Sequence, residues 1–229
     1  MAAAKLDVVI PVLGAPPILA ATLEALEEGR AAGLVGEVLL VGGDGDAELA
    51  RSFGRAARVI AAPRGRGQQL AAGADACGAP WLLFLHADTR LDPGWAGQAA
   101  VFIDAAPAGE RAAAFRLAFD DPHPGARRIA ALANWRSRRL GLPYGDQGLL
   151  ISRALYDEVG GFRPLVLMED VDLVRRIGRR RLAILEGRAV TSAARYRGGG
   201  WWLRPLRNLS ILGLYFLGVP PATLRRLYG

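Results

Sequence analysis

Four short stretches hold the residues whose types and spacing could do chemistry. His86-Ala87-Asp88-Thr89 places a carboxylate directly after Trp81 to Leu85, the most apolar run of the chain. A carboxylate there can hold Mg2+ or Mn2+ against a diphosphate and so offset the charge on that leaving group. Asp88 with Thr89 would serve equally well to cap the following turn. Met168-Glu169-Asp170 puts two carboxylates ahead of a helical run, Val171 to Arg181. Transfer to a hydroxyl needs a general base within hydrogen-bond reach of it; Glu169 or Asp170 can fill that role, and the same pair would suit a helix N-terminus for its dipole alone. Asp146-Gln147 lies between two glycines just before an apolar run, which fits either a polar pair aimed into a cleft or a tight turn. Arg64-Gly65-Arg66-Gly67 would let backbone approach a phosphate, although a lone glycine pair marks an ordinary loop as readily.

The elements around these stretches alternate between two periods. Strand-like runs at Leu6 to Val12, Glu37 to Val41, Arg58 to Ala62 and Trp81 to Leu85 are separated by helical stretches at Ala20 to Ala32, Ala47 to Gly54 and Gln68 to Cys77. This alternation predicts an α/β fold with a Rossmann-like, mostly parallel sheet flanked by helices. In such sheets ligands collect beyond the carboxyl ends of the strands. Pro11, Asp44 and His86-Ala87-Asp88 all fall at such ends. Beyond residue 110 the alternation loosens into a strand over Ala112 to Phe119, a basic helix over Ala126 to Leu140, and a strand from Gly148 to Ser152 entering a helix near Ala154.

Composition narrows the class. Just over half of the 229 residues are hydrophobic and 22% are charged, so the chain has the makings of a packed core. That length suits one domain, with a core over about residues 1–186 and a C-terminal segment over about 187–229. The single Cys77 excludes an internal disulfide, and His86 and His123 are too few for a structural zinc site. With Lys5, Asp7 and Pro11 breaking any apolar signal core, a cytoplasmic location is expected. The formal net charge of +7 sits at one end. Residues 187–229 carry seven Arg and no Asp or Glu, so the first 186 residues balance to zero. No groove-reading or base-reading motif accompanies that charge, which argues against a nucleic-acid partner.

Taken together, Val8-Val9-Ile10-Pro11, Leu82 to Thr89, Tyr144-Gly145-Asp146-Gln147-Gly148, Gly160-Gly161-Phe162 and Met168-Glu169-Asp170-Val171-Asp172 resemble the motifs of the family-2 glycosyltransferases. The likeness is to a bacterial branch of small single-domain members often encoded beside radical-SAM proteins. It implies a GT-A fold and transfer of a sugar, most naturally a hexose, from a nucleotide diphosphate carrier of the uridine type, with inversion at the anomeric carbon. It also implies a divalent ion, Mg2+ or Mn2+, held by Asp88 with a weaker contribution from His86. Asp170 is implied as base with Glu169 beside it. Pro11, Val12, Asp44, Arg66, Gln69 and Ala87 are placed toward the donor by the same likeness, and Asp146 and Gln147 toward an acceptor. The chain departs from the family pattern in three places. His86-Ala87-Asp88 stands for D-x-D, Gly42-Gly43-Asp44-Gly45-Asp46 replaces V-D-G-G-S-T-D, and Gln68 and Ala71 stand where relatives often carry Arg and Asn. The departures keep one competitor in view, a non-catalytic member that binds a nucleotide sugar or a protein. A nucleotidyltransferase is the other, but Val12-Leu13-Gly14-Ala15-Pro16 has no basic residue after the first strand.

Trp201 to Tyr228 alternates aromatic and aliphatic residues with Arg204 and Arg207 before Pro220-Pro221. The run is too short to span a bilayer. An amphipathic helix of this makeup suits an anionic membrane surface, and with it a lipid-like acceptor. It would equally suit packing on the core or on a second subunit of a homodimer.

Overall fold

The computed structural model describes residues 4–14, 18–43, 47–106 and 111–228. Its centre is one eight-stranded sheet in the order β3-β2-β1-β4-β7-β6-β8-β5. The strands are β1 (Leu6–Pro11), β2 (Val35–Gly42), β3 (Arg58–Ala61), β4 (Trp81–Phe84), β5 (Thr89–Leu91), β6 (Ala112–Phe119), β7 (Leu149–Ser152) and β8 (Leu182–Thr191). The pairings of β1 with β2 and β4, of β2 with β3, and of β6 with β8 are parallel. β7 is antiparallel to both β4 and β6, and β5 is antiparallel to β8. Six strands therefore point one way, which is the mostly parallel sheet expected from the sequence.

β1 is buried along its whole length because helices cover both faces of the sheet. Leu6, Val8 and Ile10 point to the layer formed by α1 (Leu19–Ala31) and α4 (Trp95–Ala105), while Val9 points to the other layer. That second layer holds α3 (Arg66–Ala76), α6 (Arg153–Glu158) and α7 (Glu169–Ile177). Asp7, which breaks the apolar run, is buried too. Its carboxylate accepts backbone N–H bonds from Glu37 (2.8 Å), Gly78 (3.0 Å) and Ala79 (2.9 Å), tying the start of β1 to the entries of β2 and β4. The remaining helices are α2 (Ala47–Phe53), α5 (Pro124–Leu140), α8 (Ala194–Gly199), α9 (Leu203–Phe216) and α10 (Pro221–Tyr228).

The structure differs from the sequence reading at two places of consequence. The helix expected through Arg181 stops at Ile177, because Gly178 takes φ 79° and a 3-10 turn over Arg179–Arg181 leads into β8. β8 itself was not foreseen. Glu186 and Arg188 interrupt its apolar pattern, yet it joins β6 and β5 and carries the chain back to the carboxyl edge.

Candidate active site

β4, β6 and β8 run in the same direction and end at one edge of the sheet, where Asp88 follows β4, Phe119 ends β6, and Thr191 ends β8 with Ser192 next. β7 runs the other way, so the 3-10 turn that precedes it, Gly145–Gln147, arrives at this edge as well. The N-termini of α3 and α7 bring Arg66 and Asp170. Together these residues line an open cleft of about 650 Å³, with Tyr196, Arg204 and Asn208 closing one side. Asp88, Asp146 and Asp170, separated in sequence by up to 82 positions, thus meet in one cavity.

The floor of the cleft is an ion pair. Arg66 Nε donates to Glu169 Oε1, and Glu169 is only 2% exposed. Burial, followed by the neighbouring Asp170 carboxylate, raises the Glu169 pKa against the pull of Arg66. Burial tends to lower the Arg66 pKa, but Glu169 and Asp170 outweigh it and the net shift is upward. Arg66 Nη1 also lies 3.3 Å from His86 Nε2, so this ring nitrogen faces a guanidinium rather than an open cation position. Glu169 is held beneath the cleft as the anchor of Arg66. That geometry separates it from Asp170, which sits beside it in sequence and lines the cavity.

Asp170 is held by backbone. Its Oδ2 accepts the Gly145 N–H at 2.8 Å and its Oδ1 the Val171 N–H at 2.8 Å. The residue before the pair, Met168, caps α7 with φ 65°, a left-handed conformation that costs a residue with a side chain roughly 1–2 kcal/mol. Gly145 fits between Asp170 and His86: an added Cβ would lie 2.5 Å from His86 Nε2 and 3.4 Å from Asp170 Oδ2. Gly67 has a different purpose from the phosphate approach that its sequence context suggested. An added Cβ there would meet the Arg163 carbonyl oxygen at 2.4 Å, so Gly67 lets α3 pack against the loop leading to α7.

Asp146 presents an unusual carboxylate. Its Oδ1 is buried without a hydrogen-bond partner among the described residues. Burial pushes its pKa up to about 6; Arg136 opposes the shift, and Asp170 and Asp88 add to it. Gln147, expected beside an acceptor, is instead fully buried and engaged. Its Oε1 accepts from Ser137 Oγ (2.7 Å) and its Nε2 donates to the Phe115 carbonyl (2.9 Å), fastening the turn to α5 and β6. No part of its amide is left facing the cleft.

The residues expected at the donor side behave in two ways. Gln69 is buried and donates to the Val12 carbonyl at 3.0 Å, so it shapes the end of β1 from within. Pro11 and Val12 are buried, and Ala87 is half-buried with its carbonyl accepting from Thr22 Oγ1 at 3.0 Å. Asp44 and Asp46 lie outside the described residues. Asp88 is half-buried and makes no side-chain hydrogen bond or ion pair among them.

No cluster of three or more His, Cys, Asp or Glu side chains suited to a metal occurs among the described residues. A magnesium-like site needs less, because one or two carboxylates suffice when substrate phosphates complete the shell. The unengaged Asp88 carboxylate, in the cleft that Asp146 also lines, fits that donor set.

Phe119, Thr191, Ser192, Tyr196, Arg204 and Asn208 line the cleft without having been singled out as site residues in the sequence. Their signal was diluted across the C-terminal third of the chain. The link is an aromatic column in which Phe119 meets Tyr196 edge-on at 5.1 Å, Tyr196 stacks on Trp201 at 5.7 Å, and Trp201 stacks on His123 at 4.7 Å.

A sequence model of glycosyl transferase family 2 matches residues 7–165. Glu169, Asp170 and the C-terminal segment lie beyond the matched stretch. No curated protein is matched. Among solved structures, S. aureus TarS 1–349 is similar at 14% identity with a TM-score of 0.60, over 82% of this chain and 60% of that one. The chain thus spans less than two thirds of that protein. TarS 1–349 in complex with UDP gives 15% identity and a TM-score of 0.59, over 82% and 61% of the two chains. The mannosyltransferase PcManGT of Pyrobaculum calidifontis, in complex with GDP-Man and Mn2+, aligns over 99% of this chain and 68% of its own, at 15% identity and a TM-score of 0.66. At these identities the likeness establishes a shared GT-A architecture.

Proposed function

This chain belongs to glycosyl transferase family 2, and from that premise we propose that it transfers a sugar from a nucleotide diphosphate carrier to an acceptor hydroxyl, with inversion and with the help of a divalent cation. The observation that carries the reading is the meeting of Asp88, Asp146 and Asp170 in one cleft at the carboxyl edge of the sheet. Neighbours of the same fold are described in complex with UDP, UDP-GlcNAc, and GDP-Man with Mn2+, which supports a nucleotide sugar as donor. The uridine type remains the reading carried from the sequence.

Each side chain has a distinct task. Asp88 would hold Mg2+ or Mn2+ beside the diphosphate, and the ion would offset the charge developing on the departing group. His86 supports Arg66, whose guanidinium is partly open to the cleft. Asp170 takes the proton of the acceptor hydroxyl as the bond to the anomeric carbon forms. Its two backbone N–H bonds fix its orientation, and a base must be oriented before its basicity matters. Glu169 cannot share that task while buried against Arg66. Asp146, which lines the same cleft, would meet a second acceptor hydroxyl.

Mass-spectrometric screening of nucleotide sugars with the purified chain, with and without Mn2+, tests the donor class. The anomeric configuration of any product, read by NMR, tests inversion. Asp170→Asn should lower transfer about a hundredfold or more while leaving donor binding nearly unchanged. Turnover within a few-fold of wild type would remove Asp170 from the base role.

A further inference from the structure

Helix α9 wears its apolar face outward. Its protein-facing side carries Arg204 and Asn208 into the cleft and buries Ile211 and Leu212. At about 3.6 residues per turn, the opposite side gathers Leu206 and Leu209 with the flanking Trp202 and Leu217. All four are exposed, from 55% for Leu209 to 83% for Leu217. A single exposed leucine is ordinary, but a whole helix face of large apolar side chains is a binding surface or a liability.

The patch continues onto α5. Arg128 lies 5.9 Å from the Trp202 ring, and Leu132, Trp135 and Arg139 follow it along the same stripe of α5. Leu132 and Trp135 are 65% and 57% exposed. Charge on these helices is of one sign: α5, α9 and α10 together contain nine Arg and no Asp or Glu, of which Arg204 faces the cleft and Arg136 and Arg138 are held by Tyr144 and Glu186. The nearby acids are already engaged, Glu186 by Arg116 and Arg138 and Asp121 by Arg197.

We propose that the outer faces of α9 and α5 form a docking surface for an anionic lipid bilayer, holding the mouth of the cleft at the membrane surface. Two arguments choose this occupant. Trp and Leu rimmed by Arg match the headgroup boundary of an anionic leaflet, where basic residues gain from the negative surface potential. A second copy of the chain, docked about a two-fold axis, would oppose arginines to arginines with no carboxylate between them. No helix among the described residues is long and apolar enough to cross a membrane, so the attachment is peripheral. It stands independently of the donor and metal assignments, because vesicle binding is read without nucleotide.

The test uses the full chain with sucrose-loaded vesicles of phosphatidylcholine alone or mixed with phosphatidylglycerol. The protein should sediment with the anionic vesicles at low salt and weakly or not at all with the neutral ones. Binding should fall at about 1 M salt, where the screening length shrinks to about 3 Å. Leu206→Ser with Leu209→Ser, and separately Leu132→Ser with Trp135→Ser, should each weaken binding about tenfold or more, since each pair withdraws two large apolar side chains from the interface. Melting temperatures should stay at the wild-type value, because these side chains are exposed. Brominated lipid should quench wild-type fluorescence, and less so in Trp135→Phe, while the buried Trp81 and Trp95 give the unquenched remainder. Wild-type protein left wholly in the supernatant would overturn the proposal. So would both double variants binding like wild type, or a dimer that Leu206→Ser with Leu209→Ser converts to monomer.

Discussion

The pair of Arg66 and Glu169 should behave asymmetrically when either partner is removed. Glu169 is 2% exposed, whereas the Arg66 side chain is 39% exposed. Glu169→Gln leaves a guanidinium that water can reach, but Arg66→Met leaves a carboxylate sealed under the cleft. Breaking a fully buried pair costs about 3–5 kcal/mol, and the solvent access of Arg66 reduces this. We expect a loss of about 2–3 kcal/mol for Arg66→Met and about 1 kcal/mol for Glu169→Gln at neutral pH. For a domain of this length that means about 5–10 °C and about 2–4 °C in Tm. The pH dependence carries the sharper signature. Burial raises the Glu169 pKa even with Arg66 present, and removal of Arg66 raises it further. A carboxyl whose pKa is higher folded than unfolded favours folding below its unfolded value, and this contribution is lost as pH rises through the folded value. The deficit of Arg66→Met should therefore be small near pH 4.5 and grow toward alkaline pH, and adding Glu169→Gln should flatten it. Urea denaturation of both single variants and the double variant across that range reads the cycle. A deficit for Arg66→Met that is independent of pH, or no larger than that of Glu169→Gln, would refute the argument.

Three further outcomes follow from the site. Asp88→Asn should abolish the metal-dependent part of UDP binding in calorimetry while leaving Tm unchanged, because the carboxylate has no partner among the described residues; equal wild-type affinity in chelator would refute the cation reading. Gly145→Ala should displace His86 or Asp170, lowering transfer at least about tenfold and stability by about 1–3 kcal/mol; unchanged kcat would show that the backbone tie to Asp170 is dispensable. Gln147→Leu should cost about 2 kcal/mol by stranding the Phe115 carbonyl, while the Ser137 hydroxyl keeps its bond to the Ala133 carbonyl. Its folded fraction should retain the wild-type KM for acceptor, whereas a selective rise in KM with no loss of stability would return Gln147 to the acceptor.

The sequence alone determined the parts whose signal is local. Apolar runs such as Leu6 to Val12, broken only by Asp7, and Trp81 to Leu85 announced buried parallel strands, and glycines and helix formers marked the elements between them. The carboxylates of Asp88 and Asp170 were legible because each follows or precedes such an element at a position where ligands gather. The likeness across five ordered motifs then fixed family and fold. Tertiary structure decided what each polar group faces. Glu169 and Asp170 are adjacent and chemically alike, yet the register of α7 against α3 buries one against Arg66 and opens the other to the cleft. Asp146 and Gln147 are also neighbours, and the turn sends one into the cavity and the other into the core. The direction of α9 is the clearest case. Its periodicity fits an amphipathic helix whose apolar face lies on a membrane or packs on the core or a second subunit; in the structure Arg204 and Asn208 line the cleft, Ile211 and Leu212 are buried, and Leu206, Leu209 and Leu217 stand in solvent. Periodicity states that a helix has two faces; which face turns inward depends on groups far away in sequence, here those of the cleft that Arg204 and Asn208 line.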